Sequence, residues 1–323
     1  MATTISSSLA TPAISEESSV PRLTIIVPHR RSDERLESTL VSVLENRPDD
    51  SELIVVHDGS YADDYQISDE ARLLASEPGA STTQLLNAGV RAAQAPVVAV
   101  VLDGVHVLPG WANDVDSVLA DEAVACVAVN SADQNRRGGI TPVTRANAKL
   151  VLQGNVDASL GSVQYAGPSI ACGFYQRNTL VELGGWNERM DIASADVELA
   201  WMMQSVGVAC ESLPGGRYTA GGSVRGHTTG AIRQLAELCV AYGVTGSGYM
   251  AALTGWITAA TSGQLKQASA WSSGMLGGTF TRSIIARLKL AQKSADELAS
   301  QAVLPFNDAS GSQSDSQRWQ RAA

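Results

Sequence analysis

Asp58, Asp103 and Asp196 are the residues of this sequence best placed to do chemistry. Asp58 and Asp103 each come at the end of an apolar, β-branched run, in His57-Asp58-Gly59-Ser60 and in Leu102-Asp103-Gly104. A carboxylate at such a strand end can accept hydrogen bonds from N–H or hydroxyl groups of a bound ligand. The same Asp-Gly-Ser can equally be a turn whose carboxylate bonds its own backbone. Asp196 lies three and seven residues before Leu199 and Met203, which puts all three on one helical face, turned into the protein. With Ser194 as N-cap, Asp196 falls in the first turn, where the helix dipole favours a carboxylate able to accept a proton. A first-turn acid favoured by the dipole alone accounts for its presence but not for its face. Around these acids, Pro28, His29, Arg30 and Arg31 follow the first apolar run, His106 alternates with Val105 and Val107, and His227 closes an Arg-Gly-His.

The elements that must hold these residues read as an α/β sheet with crossover helices. The run 23–27 is a strand stopped by Pro28, and a helix follows with Leu36, Leu40, Val43 and Leu44 on its buried face. Further strands are expected at 52–56, 96–102 and 123–129, with a helix over about 83–94. Near-continuous apolar strands are typical of a parallel sheet covered on both faces, and in such sheets ligands bind beyond the carboxyl ends of the strands. A Gly-rich segment, 167–173, precedes a helix near Asn178 that Gly184-Gly185 terminates. Beyond residue 228 the pattern is helical, with Ile232, Leu235, Cys239 and Tyr242 as one buried stripe and Ile284, Ile285, Leu288, Ala295 and Leu298 as another.

Composition narrows the classes. Of 323 residues 44% are apolar and 17% charged, which fits a globular chain with a sizeable core. A net charge of −10 argues against general nucleic-acid binding, which needs clustered cations. Cys126, Cys172, Cys210 and Cys239 form no Cys-x-x-Cys, so four free thiols in a reducing cytoplasm are expected. Residues 1–20 carry no basic residue and no apolar block, and read as a tail without a secretory signal pattern; 305–323 read as a second tail. Between Glu237 and Lys266 there is no charge, a length sufficient to span a bilayer. The glycines, serines and threonines that dilute this stretch favour a buried helical hairpin, and leave open contact with a membrane or a second subunit.

Five motifs in order carry a family resemblance over residues 22–215. Leu23-Thr24-Ile25-Ile26-Val27-Pro28 and Val55-Val56-His57-Asp58-Gly59-Ser60 resemble the opening strands of family 2 glycosyltransferases. Asn87-Ala88-Gly89, then Leu102-Asp103 with Leu108-Pro109-Gly110-Trp111, are similar to that family's Asn-x-Gly helix and donor-binding segment. Gly184-Gly185-Trp186-Asn187-Glu188 and Ala195-Asp196-Val197-Glu198-Leu199 resemble its Gly-Gly-Phe-Asp-Glu and Glu-Asp-x-Asp-Leu motifs. The chain departs from the pattern in three places: Asp103-Gly104-Val105 lacks the second acid of Asp-x-Asp, His29-Arg30-Arg31 replaces Thr-Tyr-Asn, and Ala195 replaces the first acid of Glu-Asp.

The resemblance implies a GT-A fold, a mostly parallel sheet flanked by helices, over residues 21–228, with a helical region at 229–304. It implies sugar transfer from a nucleotide-diphosphate donor, UDP-linked for preference, to a glycan or lipid-linked hydroxyl, with inversion by direct displacement and Asp196 as the general base. Pro28, His29, Arg30, Asp58, Asp103 and Gly104 would then line the donor site, with Arg30 meeting the diphosphate. Trp186 and Glu188 would line the acceptor side, although a packed core tryptophan is an equal reading. Asp103 would hold Mg²⁺ or Mn²⁺, with His227 as a second ligand and His106 as its competitor; the missing acid puts the metal requirement in question. A non-catalytic relative that binds a nucleotide-sugar or glycan is the alternative. A sugar-nucleotidyltransferase is not, because Pro28-His29-Arg30 is nothing like its Gly-rich loop. The implied location is cytoplasmic, with peripheral contact at the inner membrane face left open.

Overall fold

In this computed structural model the described residues are 20–30, 33–63, 66–121, 123–132, 138–140, 165–220, 228–242, 247–276 and 279–302. His227, Arg31 and residues 134–137 therefore lie outside them. The core is an eight-stranded mixed sheet in the order β3-β2-β1-β4-β9-β6-β10-β5. Its strands are β1 (Leu23–His29), β2 (Ser51–His57), β3 (Arg72–Ala75), β4 (Val97–Val101), β5 (Val105–Val107), β6 (Val124–Ser131), β9 (Cys172–Gln176) and β10 (Ala209–Ala220). A small ribbon of β7 (Gly139–Ile140) and β8 (Gly167–Pro168) stands beside it. The β3-β2-β1-β4 half is parallel, whereas β9 runs antiparallel to both β4 and β6.

The helices are α1 (Asp33–Asn46), α2 (Thr82–Ala92), α3 (Val115–Leu119), α4 (Arg177–Glu182) and α5 (Ile192–Ser205), followed by α6 (Thr229–Tyr242), α7 (Ser247–Thr261), α8 (Leu265–Met275) and α9 (Thr279–Ala302). Helix α2 starts where Ser81 and Gln84 form a capping box, the serine hydroxyl accepting from Gln84 N and the glutamine oxygen accepting from Ser81 N.

Three expectations are corrected. Strand β1 does not stop at Pro28 but continues to His29, with Pro28 opposite Val56 of β2. Pairing with β4 ends at Ile26–Val100, so the missing proline N–H falls where that side of the strand has no neighbour. Helix α5 is capped by Asp191, whose carboxylate accepts from Ala193 N, and not by Ser194, whose hydroxyl donates to Ala231 O. Asp196 therefore sits in the second turn. Ile285 is exposed while its neighbour Ile284 is fully buried.

The charge-free stretch becomes α6, α7 and α8, packed on one another. Trp271 of α8 is fully buried against Gly255 of α7, where a Cβ would come within 2.4 Å of the indole. That glycine is what lets the two helices close. Among the described residues no helix is long and apolar enough to cross a membrane. All four cysteines are buried and none is in a disulfide.

Candidate active site

The carboxyl ends of β1, β2 and β4 converge on one edge of the sheet, and the acids singled out by sequence lie there or beside it. His29 and His57 are register partners at the ends of β1 and β2. Tyr61 sets its ring edge-on to both, at centroid distances of 5.6 and 5.9 Å. Asp58 follows directly and accepts from Ser60 through both its hydroxyl (2.6 Å) and its N–H (3.3 Å), so the turn reading of this motif is correct as local structure. The Ser60 hydroxyl above all, helped by the charges of Arg30 and His29, holds the Asp58 carboxyl below its ordinary range. It is ionised at neutral pH, with one oxygen left for a ligand. Burial, then the nearby His29, pushes the His57 imidazole down, which favours its neutral form. Arg30 is half-buried, and its Nε has no hydrogen-bond partner among the described residues.

Asp103 ends β4 in a turn clamped by α1. Arg35 donates to the Asp103 carbonyl (2.9 Å) and Gly104 N donates to the Thr39 hydroxyl (2.8 Å). Gly104 has φ +82°, and a Cβ there would meet the Arg35 guanidinium. The turn thus requires glycine directly after Asp103. The Asp103 side chain is half-buried at the rim. His106, one strand further, bonds through its ring to Ser38 of α1 (3.1 Å).

Asp196 is 1% exposed and its Oδ2 accepts from Ile170 N (3.3 Å). The next carbonyl, Ala171 O, accepts from Leu102 N (3.0 Å). Two consecutive residues therefore tie the helix bearing Asp196 to the strand end bearing Asp103. The dipole of α5 acts weakly at the second turn, and the backbone donor takes over the fixing of this carboxylate.

The Gly-Gly-Trp loop is held by Asn87 of α2. Asn87 Nδ2 donates to Trp186 O (2.8 Å) and to Glu188 Oε1 (2.9 Å), and Asn87 Oδ1 accepts from Trp186 N (2.9 Å). Gly185 has φ +64°, and a Cβ on it would lie 2.2 Å from Asn87 Oδ1. The Trp186 ring is 1% exposed and packs edge-on against Tyr175 at 5.5 Å. It is a core residue in this arrangement and not an open stacking face, because the asparagine anchor draws its backbone inward. Glu188 is exposed. Asn87→Ala would leave a buried N–H and a buried C=O without partners, a cost of about 2–3 kcal/mol. Urea unfolding of that variant checks this, and a loss under about 0.5 kcal/mol would contradict the anchor.

Sequence reasoning did not single out Glu198 or Arg287. Glu198 of α5 is 0% exposed; its carboxylate pairs with Arg287 Nη1 of α9 (2.7 Å) and accepts from Asn187 Nδ2 (3.3 Å). Arg287 Nη2 also donates to Gly185 O (2.7 Å) and Leu183 O (3.1 Å). The last helix is thereby fastened to the loop beside the candidate site. Glu198 was visible as a second acid, two residues after Asp196, in a largely apolar helix, whereas nothing local to Arg287 foretells its partner 89 positions away. Among the described residues no group of three or more His, Cys, Asp or Glu could hold a metal ion, and His227 lies outside them.

No protein-family model matches the sequence, and neither does any curated protein sequence. Among solved structures the chain is similar to GalNAc-T7 with UDP, GalNAc and Mn²⁺, at a TM-score of 0.56 and 13% identity, over 88% of this chain and 58% of that one. Two looser likenesses carry no weight by themselves. One is the mannosyltransferase PcManGT from Pyrobaculum calidifontis in complex with GDP-Man and Mn²⁺ (TM-score 0.48, 16% identity, 88% of each chain). The other is TarS from S. aureus (TM-score 0.49, 14% identity, 68% of this chain and 39% of that one). At such identities the likeness establishes the fold, which is GT-A-like.

Proposed function

We propose that the protein is a glycosyltransferase that moves a sugar from a nucleotide-diphosphate donor, UDP-linked for preference, to a hydroxyl of a glycan or lipid-linked acceptor. The observation that carries the reading is the Ile170–Ala171 bridge, which sets Asp196 against the strand end of Asp103. Asp58 lies at the end of β2 in the same sheet half. In this reading the free oxygen of Asp58 takes a base N–H or a ribose hydroxyl. Arg30, whose Nε has no hydrogen-bond partner among the described residues, meets the diphosphate. Pro28 and His29 form the floor beneath it, and the Asp103-Gly104 turn borders the ribose and phosphates.

The acceptor hydroxyl gives its proton to Asp196 as its oxygen forms a bond to the anomeric carbon. The bond from that carbon to the diphosphate oxygen breaks, and the nucleoside diphosphate leaves with the electron pair. A single displacement of this kind inverts the anomeric centre. Glu188, at the exposed end of the Asn87 network, is the acceptor-side group; Trp186 supports the loop from within.

A divalent cation fits this donor set, since Mg²⁺ is commonly bound by one or two carboxylates completed by substrate phosphates. Asp103 would hold it, with His227 as the proposed second ligand, and the cation would supply charge neutralisation of the leaving diphosphate. The residues 21–228 are proposed as the transferase unit and 229–304 as its helical extension, with no role for nucleic acid. Val105 where Asp-x-Asp has its second acid favours one other reading, a nucleotide-sugar or glycan binding protein without turnover. Incubation with a panel of UDP- and GDP-sugars and Mn²⁺, following nucleotide release, separates the two. Release from one donor supports transfer; binding without release from any donor supports the second reading.

A further inference from the structure

The acid content of this chain is unevenly spread. From Leu238 to Ala295 there is no Asp or Glu, while Lys266, Arg282, Arg287, Lys289 and Lys293 fall within that span. Of 23 cations and 33 acids, 18 cations and all 33 acids lie elsewhere, so the remainder of the chain carries −15. A positive, acid-free region on so acidic a protein sets one surface apart from the rest.

Helix α9 shows what this surface offers. Arg282, Ile285, Ala286, Lys289, Leu290 and Lys293 recur at helical spacing along one face, and all six are exposed. Leu290 is 66% and Ile285 36% exposed. Arg287 is turned away from this stripe, into the buried pair with Glu198, so it is the inward anchor of the helix and not part of the face. Lys293 makes a loose, exposed pair with Glu297 (3.4 Å), and the stripe ends where Asp296 and Glu297 begin. Aliphatic side chains interleaved with lysine and arginine on an exposed helix face match the interface between headgroups and acyl chains of an anionic bilayer.

We infer that the outer face of α9 docks on a membrane surface rich in anionic lipid, with Ile285 and Leu290 entering the headgroup boundary and Arg282, Lys289 and Lys293 meeting lipid phosphates. Charge complementarity selects an anionic partner, and Leu290 and Ile285, exposed between the cations, select one with an apolar layer directly beneath its phosphates, which a bilayer supplies. Docking in this way holds the Gly185 loop, through Arg287, at a fixed place relative to the bilayer. The inference does not depend on the donor reading, because a variant unable to bind nucleotide keeps the stripe.

The test is co-sedimentation of the full chain with vesicles of phosphatidylcholine alone and with about 30% phosphatidylglycerol, at low and high salt. The expected result is binding to the anionic vesicles at low salt, its loss at high salt, and none to phosphatidylcholine. Lys289→Gln with Lys293→Gln should weaken partition about 25-fold, at roughly fivefold per cation, and Leu290→Ser should weaken it further. All three positions are exposed, so thermal unfolding of the variants should match the parent. Absence of binding, equal binding to both vesicle types, or binding unchanged in the variants would overturn the inference. So would sedimentation showing a dimer that Leu290→Ser dissociates, since the face would then belong to a second copy.

Discussion

Asp196→Asn should lower turnover about a thousandfold while leaving nucleotide affinity unchanged. Asparagine has the same shape and can still accept from Ile170 N, so the tie between α5 and the end of β4 survives. What it lacks is the capacity to take a proton from the acceptor hydroxyl. The loss should therefore appear in kcat and not in the donor KM, and the limb of the pH–rate profile that reports the base should vanish. A merely structural role for this carboxylate would leave the profile intact and shift both constants. A drop below about tenfold would place the base elsewhere.

Arg287→Met should cost about 3 kcal/mol of stability. Removing one partner of a buried ion pair costs about 3–5 kcal/mol, and here the loss is limited because Glu198 can take up a proton. Bringing a carboxyl of ordinary pKa to its neutral form at pH 7 costs about 3.7 kcal/mol, which sets the ceiling. The pH dependence identifies the cause. Burial already pushes Glu198 up, opposed by Arg287 and Asn187, and without the arginine it rises further. A carboxyl whose folded pKa exceeds its unfolded value binds more protons when folded. The variant should then lose stability as pH rises from about 4.5 toward neutrality, and differ least from the parent at the acid end. Restoring stability by adding Glu198→Leu would confirm that the penalty is the stranded carboxylate. A loss under about 1 kcal/mol, flat with pH, would contradict it.

The parallel half of the sheet was legible because β1, β2 and β4 are buried on both faces and spell uninterrupted apolar runs. The motif resemblance singled out Asp58, Asp103 and Asp196 as site candidates; the structure puts Asp58 and Asp103 just beyond parallel strand ends and ties the helix of Asp196 to the Asp103 end through Ile170 and Ala171. β9 was not legible. Its central position between β4 and β6 depends on Gly173 passing close to Pro168, and Phe174-Tyr175 after that glycine is too short a run to mark a central strand. Period alone recognised the last helix but not which of Ile284 and Ile285 faces inward, since adjacent residues lie only 100° apart. Sequence left Trp186 equally readable as a sugar platform or as a packed core residue. Its burial follows from Asn87, 99 positions earlier, whose hold on the loop no spacing rule encodes.

Isothermal calorimetry of the purified chain with UDP and GDP, with and without Mn²⁺, alongside Asp103→Ala, tests the donor site most directly. The account predicts micromolar binding of UDP that requires both the cation and the Asp103 carboxylate. Binding that ignores the metal would keep the nucleotide site and remove Asp103 and His227 as its ligands. No binding of either nucleotide under any of these conditions would contradict the donor site itself.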